Sequence, residues 1–470
     1  MMAQPPLAVA QPREIQRVRG LRLAAGFALG LSIATAASWL RVLLTGSLRI
    51  ETASWQFAIC SALLGLGLGL AAVCSWRLWQ DAAGLPRSAI FWLAVPGHLV
   101  LALAVPLTSS DFFQYLAYGQ LQLAGHNPLA VGPTALGQSP ILSLVSARWA
   151  SQPSVYGPLL LLLFRGAASA GSLLGGQIWG NGIVLKLAMV ASALATLRVA
   201  ARFLEFHRPG PGGHRSLVLI AFSPLLAWEI SGQGHTDGLL ALLLMLFVLA
   251  ASSGRELAAV LALAAGTWMK VTISPILALY LLFLLRTIGL RAVAYGFVAL
   301  FLGVALMVPY LNGFPGLGPL LSVVQGTRSH SLGDLIAMML TPLGPGVQAL
   351  VVRISYFVCM AVCAVIFGVT ALRARTLDHL FRGCLLFFLV WDLTVPLFQP
   401  WYATWLLPFA IADRDPAWQR VIALFCIWSV VQWAVSLDPV TSVLIDAGVI
   451  WSAARLLRGH ATPDLLEASF

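Results

Sequence analysis

The chain has 470 residues, 59% hydrophobic and 10% charged, with a formal net charge of +11. A soluble globular domain carries about 25% charged residues, so this composition excludes one and predicts an all-α, polytopic integral membrane protein. The basic residues sit in short connections between apolar runs, which points to topogenic arginines and anionic-lipid contact and away from nucleic acid.

Residues 1–21 read as a cytoplasmic tail carrying Arg13, Arg17 and Arg19, 22–456 as one integral domain, and 457–470 as a second cytoplasmic tail. No cleavable signal is evident, because the apolar run after Arg22 is long enough to stay as an anchor. Spans are predicted near 22–45, 55–77 and 88–107. Arg77 and Arg87 bracket the second connection, which places it inside and residue 108 onward outside.

The stretch Ser109–Pro128 is polar, aromatic and acidic amid apolar surroundings. As a helix it puts Asp111, Gln114, Tyr115, Tyr118 and Gln122 on one face, with Phe112, Phe113, Leu116 and Leu123 on the other. Such a helix is expected to lie flat at the membrane interface, its polar edge toward water or protein. Asp111 has a plain structural role available, an acid in the first turn behind a Ser109 or Ser110 cap. It is also one of very few acids in the outer loops, hence a candidate general base. Gly125 and Pro128 stop the helix, and His126 and Asn127 between them are candidates to bond a sugar hydroxyl or phosphate.

Tyr156–Ala170 is apolar enough to span. If it did, the next span, about 182–203, would leave Arg198, Arg202, Arg208 and Arg215 outside, against the positive-inside tendency. It therefore reads as an interfacial or re-entrant helix with Pro158 in its first turn, and 108–180 as one outer loop. The turn Gly232–Thr236 then falls outside and Arg255 inside. The run 256–287 splits into two short helices around Lys270 and Pro275, and a span near 290–311 leads to a second outer loop, about 312–345. Arg373, Arg375, Arg382, Arg414, Arg420, Arg455 and Arg458 lie inside and Pro396–Trp401 outside, giving about 14 spans.

Glu229 lies in the last turn of an apolar span, where an ionisable group is costly unless paired or facing a wet cavity. Glu229, His235 and Asp237 accordingly read as cavity-lining groups. Only two lysines occur, Lys186 and Lys270, both in apolar stretches. Lys186 is expected to snorkel from the outer end of its helix. Lys270, at the helix break, either holds a phosphate or pairs internally with Glu229 or Asp237. Arg328 and His330 in the second outer loop are either solvated or part of a cover, Arg328 reaching a phosphate and His330 a sugar. Trp401 and Tyr402 form an aromatic belt or stack on a sugar. The six cysteines lack metal-site spacing and read as small buried hydrophobes.

The aspartate with aromatics at Asp111–Tyr115, GHNP at 125–128, YGP at 156–158, GHTDG at 234–238, Lys270 in an apolar helix and QPWY at 399–402 appear in that order. Together they resemble the polyprenyl-phosphate-hexose-dependent glycosyltransferases of the GT-C class, in particular bacterial mannosyltransferases, over about residues 90–410. The resemblance implies an inverting hexosyltransferase without metal or other cofactor, using a polyprenyl-phosphate sugar as donor and a glycan or glycolipid as acceptor. It implies a multi-pass protein of the cell membrane with an extracytoplasmic site and Asp111 as base, and it adds Tyr156 to the binding candidates. Such a reaction needs a carboxylate to take the acceptor proton and cations for the departing phosphate, here Asp111 with Lys270 and Arg328, while Tyr115 and Tyr118 orient sugar. A transporter or flippase for a lipid-linked sugar would explain the spans and buried lysines equally well. It would need neither an acid on an outer helix nor two long outer loops, and no internal repeat is visible.

Overall fold

Prolines that cannot continue a preceding helix, but are at home in the first turn of a new one, open several of the helices in this chain. The computed structural model describes residues 12–49, 55–81, 85–314, 316, 332–395, 398–435 and 446–455. Arg328 and His330 lie outside the described residues. The chain begins with α1 (Pro12–Thr45), α2 (Trp55–Asp81) and α3 (Arg87–Ala102). After these come α4 (Asp111–Leu123), α5 (Ala147–Ala150) and α6 (Pro158–Ser172). Next come α7 (Trp179–His207), α8 (Pro211–Ala221), a π-helical turn (Leu226–Gly232) and α9 (Asp237–Ser252). Then α10 (Glu256–Met269), α11 (Ser274–Ile288) and α12 (Arg291–Met307) follow closely. Further on lie α13 (Leu332–Met339), α14 (Pro345–Arg373), α15 (Leu377–Thr394), α16 (Leu406–Ala412) and α17 (Pro416–Val435), with a 3-10 segment Pro400–Trp405 before α16, and residues 446–455 are also helical.

No strand occurs among the described residues. Six of their helices are long and apolar enough to cross a membrane, and five apolar helices are shorter. The all-α membrane architecture is as predicted, while this tally does not establish the count of about 14 spans. α1 starts at Pro12, so residues 12–21 of the expected tail are helical. Glu14, Gln16, Arg17 and Leu21 are good helix formers, which lets the helix run on past the apolar stretch.

Lipid offers no hydrophobic drive between helices, so close packing of small residues holds them. At the α1–α2 crossing, a Cβ on Gly30 would come within 2.5 Å of the Gly67 carbonyl oxygen, and one on Gly67 within 2.6 Å of the Gly30 oxygen.

Three of the arginines assigned to the inside, Arg87, Arg208 and Arg382, meet the chain around residues 204–210 and 412–413. Arg87 donates to the carbonyls of Leu204 (3.0 Å) and Arg208 (2.7 Å). Arg208 in turn donates to Ala412 O (2.6 Å), and Arg382 grips Asp413 through two bonds of 2.8 and 2.7 Å. Arg87 and Arg208 satisfy carbonyls that helix C-termini leave open, while Arg382 pairs with a carboxylate. His207 Nε2 meets Ser253 Oγ at 3.3 Å, and Arg286 donates to Leu372 O at 3.2 Å, bringing the α9–α10 and α14–α15 connections to helix ends of the same kind.

Two outer-region elements take their places here. α6 has 15 residues, about 22 Å of helix, shorter than the roughly 30 Å apolar slab. It packs against α4 and α7. α4 is almost wholly enclosed by protein. Of the two surroundings expected for its polar face, water or protein, the structure gives protein: Gln114 Nε2 donates to Tyr118 OH (2.8 Å) and Gln122 Nε2 to Leu161 O (2.8 Å). At Gly119 a Cβ would lie 2.5 Å from Phe164 O, so the missing side chain lets α6 close over α4.

Candidate active site

The site is assembled where several helices end. Segment 103–110, which delivers α4, is fastened from below. Gln233 Oε1 accepts hydrogen bonds from Leu107 N (2.8 Å), Thr108 N (3.0 Å) and Thr108 Oγ1 (3.0 Å). Lys186 Nζ donates to Ala104 O (2.9 Å) and to Gly232 O. Lys186 is therefore a buried clasp on carbonyls freed at two helix ends, not a snorkelling side chain. Gly234, with φ of 81°, carries the chain from the π-helical turn to α9, and a Cβ there would sit 2.6 Å from the Phe112 ring. The GHTDG stretch and the first turn of α4 thus fit against each other.

Asp111 is the first residue of α4, and its N–H donates to Ser109 Oγ (3.2 Å). Its carboxyl is half-buried, and burial pushes it up from the ordinary range to about 6, with the Lys270 charge pulling the other way.

Lys270 occupies the break between α10 and the 3-10 turn Val271–Ile273, with extended backbone at φ −142° and ψ 123°. Pro275 lies at the start of α11, where its ring would collide with the carbonyl four residues back in an unbroken helix. The carbonyl of Met269, freed by the break, accepts from Gly157 N at 2.9 Å. A Cβ at Gly157 would overlap the Trp268 carbonyl, which gives the YGP motif a physical reason. Trp268 itself rests its indole on α12 at Gly303, where no side chain would fit.

Lys270 Nζ donates to both carboxylate oxygens of Asp237, at 2.8 and 3.0 Å, and Trp405 Nε1 adds a third bond to Oδ1 at 3.0 Å. Of the readings for Lys270, the ion pair is realised, with Asp237 and not Glu229. Two of its three N–H groups are used, which leaves one for a ligand. The rings of Tyr402, Trp405 and Tyr156 lie 4.9, 5.5 and 5.7 Å from the ammonium.

Asp111, Tyr118, Tyr156, Lys270, Trp401 and Tyr402 line one cavity of about 150 Å³, together with Gln114, Trp149, Thr272, Trp391, Gln399 and Trp405. Burial pushes the hydroxyls of Tyr118, Tyr156 and Tyr402 above their ordinary range, so they stay neutral donors.

Glu229 and His235 do not line the cavity, contrary to expectation; both are fully buried behind it. His235 Nε2 lies 3.4 Å from Glu229 Oε2, its Nδ1 lies 3.4 Å from Tyr115 OH, and its ring stacks on Trp401 at 3.5 Å. The π-helical turn brings Glu229 close to His235, but both Glu229 carboxyl oxygens and His235 Nε2 are without a hydrogen-bond partner among the described residues. Tyr115 and Asp237 also stand in this rear layer, Asp237 reaching the cavity through Lys270.

His126 is exposed and away from the cavity. Its N–H bonds to Leu121 O (2.9 Å) and Gly125 N to Gln122 O (3.2 Å), with Gly125 at φ 83°, a helix stop of the Schellman kind. Asn127 Nδ2 donates to Tyr310 O (2.9 Å) and Asn312 O (2.7 Å), so its amide ties two loops together instead of meeting a sugar. Sequence reasoning missed Gln233, Thr272, Trp391 and Trp405; only the aromatic content of the 399–405 stretch signalled one of them. Among the described residues no three His, Cys, Asp or Glu side chains are grouped to hold a metal ion.

Residues 18–286 match the model of the MptA_B family, described as alpha-(1->6)-mannopyranosyltransferase, N-terminal domain. The chain is similar to alpha-(1->6)-mannopyranosyltransferase A of Mycobacterium tuberculosis, 27% identical over 352 residues, covering 71% of this chain and 66% of that protein. A second alpha-(1->6)-mannopyranosyltransferase of that organism is 30% identical over 163 residues, covering 34% of this chain and 27% of the relative. Alpha-(1->6)-mannopyranosyltransferase A of Corynebacterium glutamicum is 26% identical over 198 residues, 41% of this chain and 38% of the relative. The match thus spans just under two thirds of the first relative's length and less of the other two. No solved structure matches.

Proposed function

The chain belongs to the alpha-(1->6)-mannopyranosyltransferase family, and from that membership we propose that it transfers mannose from a polyprenyl-phosphate donor to a hydroxyl of a glycan or glycolipid. The observation that carries this reading is the meeting of the Asp111 carboxylate and the Lys270 ammonium in one aromatic-walled cavity. The linkage in the relatives' names makes a 6-hydroxyl the expected acceptor group. In the proposed reaction Asp111 takes the proton of that hydroxyl, whose oxygen bonds to the anomeric carbon. The bond from that carbon to the phosphate oxygen breaks, the electron pair leaves with the lipid phosphate, and the anomeric configuration inverts.

A carboxyl tuned to about 6 is mostly ionised at neutral pH and more basic than an ordinary aspartate, which suits a general base. The free N–H of Lys270 faces the charge that grows on the leaving phosphate. Arg328, outside the described residues, is the second cation the sequence supplies. An extracytoplasmic position for the cavity is supported by the arginines of the connections assigned to the inside.

The test incubates purified protein with polyprenyl-phosphate mannose and a panel of mannose-bearing acceptors, following release of polyprenyl phosphate. Asp111→Asn is expected to abolish release while retaining donor binding. Release at the wild-type rate by this variant removes Asp111 from the mechanism, and no release by the wild type with any acceptor removes the reading itself.

A further inference from the structure

Three polar atoms on residues of the cavity wall are buried and have no hydrogen-bond partner among the described residues: Thr272 Oγ1, Trp391 Nε1 and Gln399 Oε1. Buried polar atoms in folded proteins are almost always paired, so three orphans around one hollow call for an explanation. They come from separate elements. Thr272 is in the 3-10 turn after Lys270, Trp391 in the last turn of α15, and Gln399 just ahead of the Pro400–Trp405 segment.

The chemistry of the set is specific. Trp391 offers one N–H and no acceptor, Gln399 offers a carbonyl, and the Thr272 hydroxyl can do either. All three are neutral. A phosphate calls for cations or several convergent N–H groups, and this set has one fixed donor. A ring with several hydroxyls, each both donor and acceptor, matches all three in kind, each of these enclosed atoms meeting it after a side-chain rotation toward the cavity. Trp149, Trp401 and Tyr402 line the same cavity and supply faces for the C–H surface of such a ring.

We propose that Thr272, Trp391 and Gln399 form the subsite for the hexose of the donor, and that they distinguish a sugar-bearing lipid phosphate from a bare one. The proposal rests on the mannosyl-transfer reading for the identity of the sugar. Thr272 follows Lys270 by two residues, so a phosphate at the ammonium leaves its attached ring beside the neutral set. Asp111 lines the same cavity and is available to the acceptor.

The experiment measures binding of polyprenyl-phosphate mannose and of bare polyprenyl phosphate to the purified full chain and to Thr272→Val, Trp391→Phe and Gln399→Met. Thr272→Val and Gln399→Met each remove one hydrogen bond at nearly constant shape, and Trp391→Phe removes the N–H with part of the ring; each is expected to weaken the mannosyl lipid about tenfold, leaving bare polyprenyl phosphate unchanged. Unaltered binding of the mannosyl lipid, or equal weakening of both ligands, overturns the proposal. Deoxymannosyl polyprenyl phosphates on the wild type ask the same question without a substitution. At least one is expected to bind about tenfold more weakly than its parent, and a full set binding like the parent refutes the subsite. Transfer is assayed in parallel. A wild type that prefers the mannosyl lipid but transfers nothing sinks the enzymatic reading and leaves the subsite. A wild type that transfers while binding both lipids equally does the reverse.

Discussion

Lys270 holds two positions at once, as partner of a buried acid and as the cation of the cavity, and a double-mutant cycle separates them. Asp237 is fully buried, and Lys270 makes two of the three side-chain hydrogen bonds to its carboxylate. Lys270→Met leaves that carboxylate with Trp405 alone. Removing one partner of a buried pair costs about 3–5 kcal/mol, a large part of a typical total of about 5–15 kcal/mol. Asp237→Asn keeps an acceptor for Trp405 and strands an ammonium whose side chain is 12% exposed; its expected cost is smaller, about 1–3 kcal/mol. In Lys270→Met with Asp237→Asn no charge is left unbalanced, so the double variant should be more stable than the sum of the singles by about 2–3 kcal/mol. Unfolding of all four proteins in mixed micelles reads the coupling. Transfer is not expected to return with stability, because the N–H facing the phosphate is gone. Costs that simply add would refute the ion-pair reasoning, and a double variant that transfers normally would leave Lys270 a purely structural residue.

A base held near 6 loses its charge at a higher pH than an ordinary aspartate, so the acid limb of the rate profile should be displaced upward. The ionised fraction is about 90% at pH 7 and about 9% at pH 5, so kcat/KM should fall roughly tenfold between them and level off above. A profile flat down to pH 5 would contradict this. Gly157→Ala forces α6 away from the Trp268 carbonyl and weakens the bond from Gly157 N to Met269 O, so transfer should drop about tenfold or more although residue 157 does not line the cavity. Gly166→Ala on the same helix has open space and serves as control; equal effects from the two would show that the docking at Gly157 is irrelevant.

Much of the architecture was legible because local rules carry it. The α4 helix follows from 3–4 spacing, its stop from Gly125, and the break at Lys270 from a run too long for one span that also contains Pro275. What periodicity does not contain is the identity of a distant partner. Asn127 is spent on carbonyls at Tyr310 and Asn312, and Lys186 on Ala104 and Gly232, because those backbones happen to end or turn there. Glu229 and His235 face each other only because a π-helical turn shifts the register of side chains, which no hydrophobic pattern announces. Thr272 and Trp391 look like ordinary residues near helix ends, and only enclosure shows that their polar atoms are bare.

The contact between Gly303 and the Trp268 indole ties the bilayer to the cavity. α12 turns nearly all of its surface outward, with Ala292, Ala299 and Gly303 as its buried residues, so its tilt answers to the thickness of the surrounding hydrocarbon. Any change of tilt presses on an indole two residues before the ammonium. Turnover should therefore vary with acyl-chain length when the protein is reconstituted in a series of phosphatidylcholines, and Gly303→Ala should mimic the effect of a mismatched bilayer. Rates indifferent to chain length would mean that Trp268 yields without passing lateral pressure on.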